Sequence, residues 1–321
     1  MNEELASWYR MAFNTVLENV ERIVKGKPNE IGLSLVCLFA EGHLLLEDVP
    51  GTGKTSLAKS IANSFAGTWS RVQFTPDLLP ADVTGGLIYN QAASTFEFRP
   101  GPIFSNVVLA DEINRASPKT QAALLEVMEE QRVTIGNDTH PVPRPFVVIA
   151  TQNPVEQEGT YRLPEAQLDR FLMRISLGYP DTEHAVEVLR VASSGATPDT
   201  LTAVLGIPEV QQMVELAKTV HVDDAIYRYM VSLTEASRTL TDLRLGVSMR
   251  GALGMMKASR VLAAAQGRGF VTVDDVKVLA PAVMGHRMLL TAESEFKGLK
   301  TEQMVQQLLD TVEVPAPGRA A

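Results

Sequence analysis

Residues 44–62 read LLLEDVPGTGKTSLAKSIA, and this stretch decides the fold. Three leucines form an apolar strand, a glycine-rich turn follows, and a helix starts at Lys54-Thr55. Strand, turn and helix in that order are the context a phosphate-binding loop requires. Gly51 and Gly53 let backbone N–H groups converge on phosphate oxygens without side-chain obstruction. Lys54 can reach the β- and γ-phosphates, the Thr55 hydroxyl can ligate Mg²⁺, and the helix N-terminus adds its positive dipole end. The pattern departs from GxxxxGK[ST] at one position, because Asp48 stands where the first glycine is usual.

Working outward, short apolar runs recur between His43 and Leu177: HLLLE, RVQF, VVLAD, FVVIA and MRISL. Continuous apolar runs of this length suit strands of a parallel sheet covered on both faces, so an α/β core is expected. Before it, the spacing of Leu5, Trp8, Phe13, Val16, Leu17, Val20 and Val24 predicts a helix, and a second is expected over residues 29–40. After Tyr179-Pro180 the strand-like runs stop. Helical periodicity appears over residues 181–191, 208–219, 223–240, 247–266 and 273–285, with a Gly/Ser/Thr/Pro-rich linker near 193–202. The expected division is a nucleotide-binding core over 1–192, a linker over 193–204, an α-helical lid over 205–310 and a flexible tail over 311–321. Two insertions, 84–98 and 131–145, read as β-hairpins, the second with a turn at Gly136–Asp138 and its return arm over Pro141–Pro145.

Bulk properties narrow the class. The chain is 45% hydrophobic and 21% charged, which is ordinary globular composition. A formal net charge of −9 argues against a dominant attraction to nucleic acid or anionic membrane, so neither is an expected partner. The opening MNEELASWYR is acidic with no apolar h-region, and IGLSLVCLFA is too short to span a bilayer. A cytoplasmic protein without membrane insertion is expected. The single cysteine, Cys37, has no intrachain partner and reads as a small buried hydrophobe.

The other parts of an ATPase site can be placed by residue type. VVLAD brings Asp111 and Glu112 to the end of a strand. There Asp111 can hold Mg²⁺ through water and Glu112 can polarise the attacking water. FVVIATQNP ends at Asn153, whose amide can orient water near the γ-phosphate. Asn153-Pro154 equally suits a plain strand-ending turn. No His/Cys cluster has zinc spacing, and no Ser-His-Asp or Cys-His arrangement presents itself.

Together, LLLEDVPGTGKTS, VVLADEINRASPKTQAALLEVMEE, IATQNPVEQEGTYRLPEAQLDRF and GVSMRG resemble the MoxR family of AAA+ ATPases, over about Val20 to Gly285. The resemblance implies a parallel αβα core, a helical lid, ATP with Mg²⁺ as ligands, and a hexameric ring with ATP between neighbouring copies. By position it assigns Pro50, Gly51, Thr52, Gly53, Lys54, Thr55 and Ser56 to Walker A, Asp111 and Glu112 to Walker B, and Asn153 to sensor 1. It assigns Arg170 to an arginine finger reaching the next copy and Arg250 to sensor 2 on the lid, with Met249 where proline is frequent. Val24 and Gly26 fall where adenine is expected, and Arg115 follows Walker B and is expected to face the interface. Residue type alone leaves Arg170 equally suited to an ion pair with Asp169 or a lid carboxylate, and Arg250 to a solvated helix start. The implied function is chaperone-like remodelling, maturation or assembly of a partner, for which a von Willebrand factor A domain protein is the family's suggestion. The hairpins are expected to meet the client or line the pore. The alternatives are a chelatase-type motor for metal insertion, a nucleotide-gated binding module with little turnover, and a nucleic-acid translocase, the last disfavoured by charge.

Overall fold

The computed structural model describes residues 1–92, 94–153 and 160–314. The expected tail therefore lies largely outside the described residues, and its first position, Thr311, closes a helix.

The strands in chain order are β1 (Leu44–Glu47), β2 (Trp69–Gln73), β3 (Gly85–Asn90), β4 (Thr95–Pro100), β5 (Val107–Asp111), β6 (Arg132–Ile135), β7 (Asp138–Pro141), β8 (Val147–Gln152), β9 (Met173–Ile175), β10 (Leu243–Leu245) and β11 (Leu289–Leu290). The helices are α1 (Glu3–Glu21), α2 (Pro28–Phe39), α3 (Lys54–Ser64), α4 (Pro80–Thr84), α5 (Pro118–Glu130), α6 (Glu165–Leu168), α7 (Thr182–Ser193), α8 (Ile207–Lys218), α9 (Asp224–Thr239), α10 (Met249–Ala265), α11 (Val273–Met284), α12 (Ala292–Phe296) and α13 (Thr301–Thr311). Short 3₁₀ turns lie at Ile113–Arg115, Pro198–Thr200 and Gly285–Arg287.

Five strands form one parallel sheet in the order β2-β5-β8-β1-β9. Its middle strands are apolar up to their polar C-terminal ends because both faces are covered, as the continuous runs require. Leu44, Leu46, Leu109 and Ile149 point to one face, where α1, α2 and α3 pack. Leu45, Val108, Val148 and Ala150 point to the other, under α4 and α5. The first of these cores does not end at the sheet. It continues through Met213, Tyr229, Met255, Val261, Leu279 and Leu308, so the later helices share one buried cluster with α1 and α2.

This shared core decides where the helical part sits. Helix α10 packs on α1 and α2, and α11 packs on β9. The expected linker also lies against the core. Asn63 donates to the Pro198 carbonyl (2.8 Å), Lys59 pairs with Asp199 (2.6 Å), and Val204 N–H donates to Ser64 O (2.8 Å). Both hairpins form, β3 with β4 and β6 with β7. The second is tighter than expected: β7 starts at Asp138, so Gly136 (φ +63°) and Asn137 make the turn. The two hairpins touch through Phe98 stacked on His140, with ring centroids 4.0 Å apart. Among the described residues no helix is long and apolar enough to cross a membrane. Cys37 is buried, and burial raises its thiol pKa.

His43, just before β1, is buried in this core. Its Nδ1 accepts from Val148 N–H (3.0 Å), which leaves the proton on Nε2 to donate to the Met128 carbonyl (3.0 Å). Burial lowers its pKa to about 4, and burial lowers that of His286 well below the ordinary value too. A histidine held neutral when folded stabilises fully above its unfolded pKa and progressively less as pH falls toward the folded one. Between pH 7 and pH 5 the His43 shift alone removes on the order of 2 kcal/mol. The melting temperature should therefore drop over this range, and His43→Gln should flatten the slope. An equally steep slope in the variant would refute the assignment.

Candidate functional site

The functional groups of the phosphate loop gather at the C-terminal edge of the sheet, where open α/β sheets hold their ligands. Pro50, Gly51, Gly53, Lys54, Thr55 and Ser56 line a cavity of about 240 Å³ with Asp111, Glu112, Thr151, Asn153, Arg71 and Gln73. The loop is left-handed at Gly51 (φ +85°) and Gly53 (φ +90°), a backbone only glycine takes without strain. An added Cβ would meet nothing at either position, so conformation, not space, demands the glycines. Thr52 turns away, its hydroxyl 3.4 Å from the Val49 carbonyl. Lys54 Nζ donates to the Asp48 and Val49 carbonyls, both at 3.1 Å.

Asp48 explains its own departure from the motif. Its buried carboxylate accepts from the backbone N–H groups of Leu177 (2.6 Å) and Gly178 (3.0 Å), tying the loop to the chain leaving β9. A glycine could not make this brace.

The acidic pair is held by groups that sequence reasoning did not single out. The Thr151 hydroxyl accepts from Glu112 N–H (2.8 Å) and donates to Asp111 Oδ1 (2.6 Å). Arg71 sets Nη2 and Nε on Asp111 Oδ2 at 2.6 and 3.1 Å, and Nη2 lies 3.1 Å from Gln73 Oε1. Gln73 Nε2 donates to Glu112 Oε2 (2.8 Å), as does Arg115 (2.9 Å). Arg115, expected at the interface, is thus tied to Glu112 in its own chain. Glu112 itself is left-handed (φ +55°), a conformation costing a non-glycine residue roughly 1–2 kcal/mol. The available signal was the alternation of Arg71 and Gln73 on a strand bordering the acidic pair.

The two remaining arginines are elsewhere. Arg170 pairs with Glu129 (3.1 Å) and Arg250 with the same carboxylate (2.6 Å). Together with Gly42, His43 and Asp169 they line a second cavity of about 340 Å³. Gly42 and His43 precede β1, whereas Lys54 follows it, so the arginines and the phosphate loop occupy opposite ends of the strand. Four residues of strand span roughly 13 Å. Neither arginine lines the Lys54 cavity of its own chain, and Arg170's partner is a core carboxylate instead of Asp169 or the lid. Ser248 caps α10 and donates to Asp169 (2.8 Å), so the helix starts cleanly at Met249 without proline. Val24 is buried in the core. A Cβ on Gly26 would collide with His184 at the start of α7. Neither residue lines the Lys54 cavity.

A buried arginine missed from sequence fixes this second cluster. Arg287 sets Nε on Asp169 Oδ1 (2.8 Å) and donates to the carbonyls of Phe171 (2.6 Å), Leu172 (3.1 Å) and Val283. It thereby joins the helical part to the segment that carries Arg170.

A five-stranded parallel sheet in this order, with a phosphate loop after β1, acidic residues after β5 and a helical lid, defines an AAA+ ATPase fold. Residues 43–173 match the family model for ATPases associated with various cellular activities, and residues 235–308 match the AAA lid domain. The chain is 41% identical to Chaperone MoxR1 of Mycobacterium tuberculosis, over 92% of this chain and 80% of that one. It is 46% identical to the uncharacterized protein YeaC of Bacillus subtilis and 32% identical to Protein MoxR of Methylorubrum extorquens, each over 93% of both chains. A crystal structure of a provisionally assigned ATPase from Cytophaga hutchinsonii superposes with a TM-score of 0.92 at 38% identity, covering 98% of each chain. The chain belongs to the MoxR family of AAA+ ATPases.

Replacing Asp48 with the glycine of the usual motif strands two backbone N–H groups and frees the loop. Asp48→Gly should destabilise the fold by on the order of 2–4 kcal/mol, read as a lower guanidinium midpoint. An unchanged midpoint would remove the brace from the account.

Proposed function

We propose that the chain hydrolyses ATP at sites shared between neighbouring copies in a ring, and that the cycle remodels a partner protein. The observation that carries this reading is the separation of charges. Lys54, Thr55, Asp111, Glu112 and Asn153 line one cavity, while Arg170 and Arg250 stand together at the other end of β1. Phosphoryl transfer needs fixed cations against the charge that spreads over the equatorial oxygens. A second copy, apposed so that its arginines face the first copy's cavity, supplies them. Met249 and Leu253, one turn apart beside Arg250, are more than half exposed and give that apposition apolar surface.

The roles then divide by chemistry. Lys54 exchanges its loop carbonyls for phosphate oxygens, and the backbone around Gly51 and Gly53 cradles them. Pro50, Thr52 and Ser56 shape the loop and first helical turn. Mg²⁺ fits the oxygen donors here, because it keeps most of its waters and needs few protein ligands. Thr55 and Asp111 would hold it, and it would neutralise phosphate charge. Glu112 accepts the proton of the attacking water, and the Asn153 amide orients that water. Arg170 and Arg250 suit phosphate because their planar forks contact it bidentately. Val24 and Gly26 are assigned to the adenine side by their position in the chain alone. The client contact is assigned to the β3–β4 hairpin, whose paired residues Tyr89 and Phe96 leave large apolar surface exposed. A protein carrying a von Willebrand factor A domain is the partner class to test first.

Glu112→Gln should bind ATP and hydrolyse it very slowly, and Lys54→Ala should lose affinity. Arg170→Ala should stay folded and bind ATP but lose most turnover, since a trans-supplied arginine is worth roughly 10³–10⁵ in rate where measured. Mixing Lys54→Ala with Arg170→Ala should recover partial turnover, because an intact cavity can then meet an intact arginine. Mixed assemblies, verified by light scattering, that stay as inactive as either parent would sink the shared site.

A further inference from the structure

Of the described side chains lining the Lys54 cavity, only Lys54 and Arg71 are cations, and Arg250 lies at the far end of β1. Arg71 lines the same cavity as the phosphate loop, and its guanidinium is engaged by Asp111. Its Nη2 and Nε both rest on one oxygen of Asp111, at 2.6 and 3.1 Å, while Thr151 holds the other. Asp111 is buried, so this guanidinium is its charge partner within the fold. The arrangement is built. Strand β2 pairs with β5 in parallel register, placing Gln73 beside Asp111 and Arg71 two residues back on the same face. A long side chain from that position reaches forward along the strand to the carboxylate, and Gln73 Oε1 braces the same Nη2 at 3.1 Å.

We infer that Arg71 is a positioning residue that acts as the resident counter-ion of Asp111, and that Mg²⁺ entering with ATP must compete with it. This rests on the nucleotide-site reading above and adds to it. A buried carboxylate left without a partner is costly, so Arg71 stabilises the site before the ion arrives. Once Mg²⁺ with its waters supplies positive charge, the guanidinium becomes a like charge close by and is driven off. Half of the Arg71 side chain is open to solvent, which gives it somewhere to go. The energetic consequence is a raised Mg²⁺ requirement: the ion gains Asp111 only after displacing an arginine that donates twice to one of its oxygens. Structural packing alone predicts no such coupling, because a packing role has no term that depends on Mg²⁺ concentration.

The test is a Mg²⁺ titration of the full chain at fixed concentration of a fluorescent, non-hydrolysable ATP analogue, reading bound analogue by anisotropy. Arg71→Gln should move the Mg²⁺ midpoint about three- to tenfold lower than wild type. Asp111→Asn should move it higher, as the carboxylate charge is gone. Arg71→Lys, which keeps one point charge without the fork, should fall between Arg71→Gln and wild type and serves if Arg71→Gln does not fold. A midpoint for Arg71→Gln, or for Arg71→Lys in its place, equal to or above wild type overturns the inference while leaving the nucleotide site intact. A wild-type chain that binds no analogue at any Mg²⁺ concentration overturns both.

Discussion

The buried guanidinium of Arg287 holds the molecule in the arrangement on which its function depends. It comes from the 3₁₀ turn after α11 and spends its donors on Asp169 and on the carbonyls of Phe171, Leu172 and Val283. Burial lowers its pKa, and the Asp169 carboxylate opposes that shift and keeps the charge in place. A fully paired buried arginine of this kind fixes geometry more than it adds stability, because desolvation offsets much of the attraction. Here the geometry is the position of the lid against the segment that carries Arg170. Asp169 also takes Ser248, the residue that starts the helix carrying Arg250. One carboxylate therefore sets both arginines, and Glu129 then bridges their head groups.

The consequence is a division of charge along β1. At the C-terminal edge of the sheet are the loop lysine and the acidic pair. At the N-terminal edge are two arginines and their carboxylates. Parallel topology enforces this, since every strand ends at the phosphate side and every strand begins at the other. The core common to α1, α2 and the later helices holds α10, which carries Arg250, against α1 and α2. On the proposed reading, a chain built this way would carry half of one site and half of another, united on assembly. The network Thr151–Asp111–Arg71–Gln73–Glu112–Arg115 keeps the acidic half satisfied by side chains of the same chain.

Most of the core could be read from sequence because its signals are local. VVLAD and FVVIA are strands by composition, and PGTGK is a turn by its glycines. The later helices up to α11 are legible from periodicity, whereas α12, α13 and the β10–β11 pair are not. What stayed hidden depends on contacts between residues far apart in sequence. Asp48 reads as a flaw in the motif until Leu177 and Gly178 fold against it. Arg287 reads as one more basic residue in VMGHRMLL, although its apolar setting hinted at a buried partner. Arg250 was matched by motif, yet no motif states which copy's cavity an arginine faces. Arg115 was expected to face the interface, and its ion pair with Glu112 in the same chain has no signature in the motif. The sharing of Glu129 by Arg170 and Arg250 is a tertiary fact with no local signature.

The most direct measurement is an experimental structure of the Glu112→Gln chain assembled with ATP and Mg²⁺. The account predicts that the γ-phosphate above Lys54 of one copy lies within hydrogen-bond distance of Arg170 and Arg250 from the next. A closed nucleotide site in which Arg250 of the same chain contacts that phosphate, with no arginine entering from a neighbour, would contradict it.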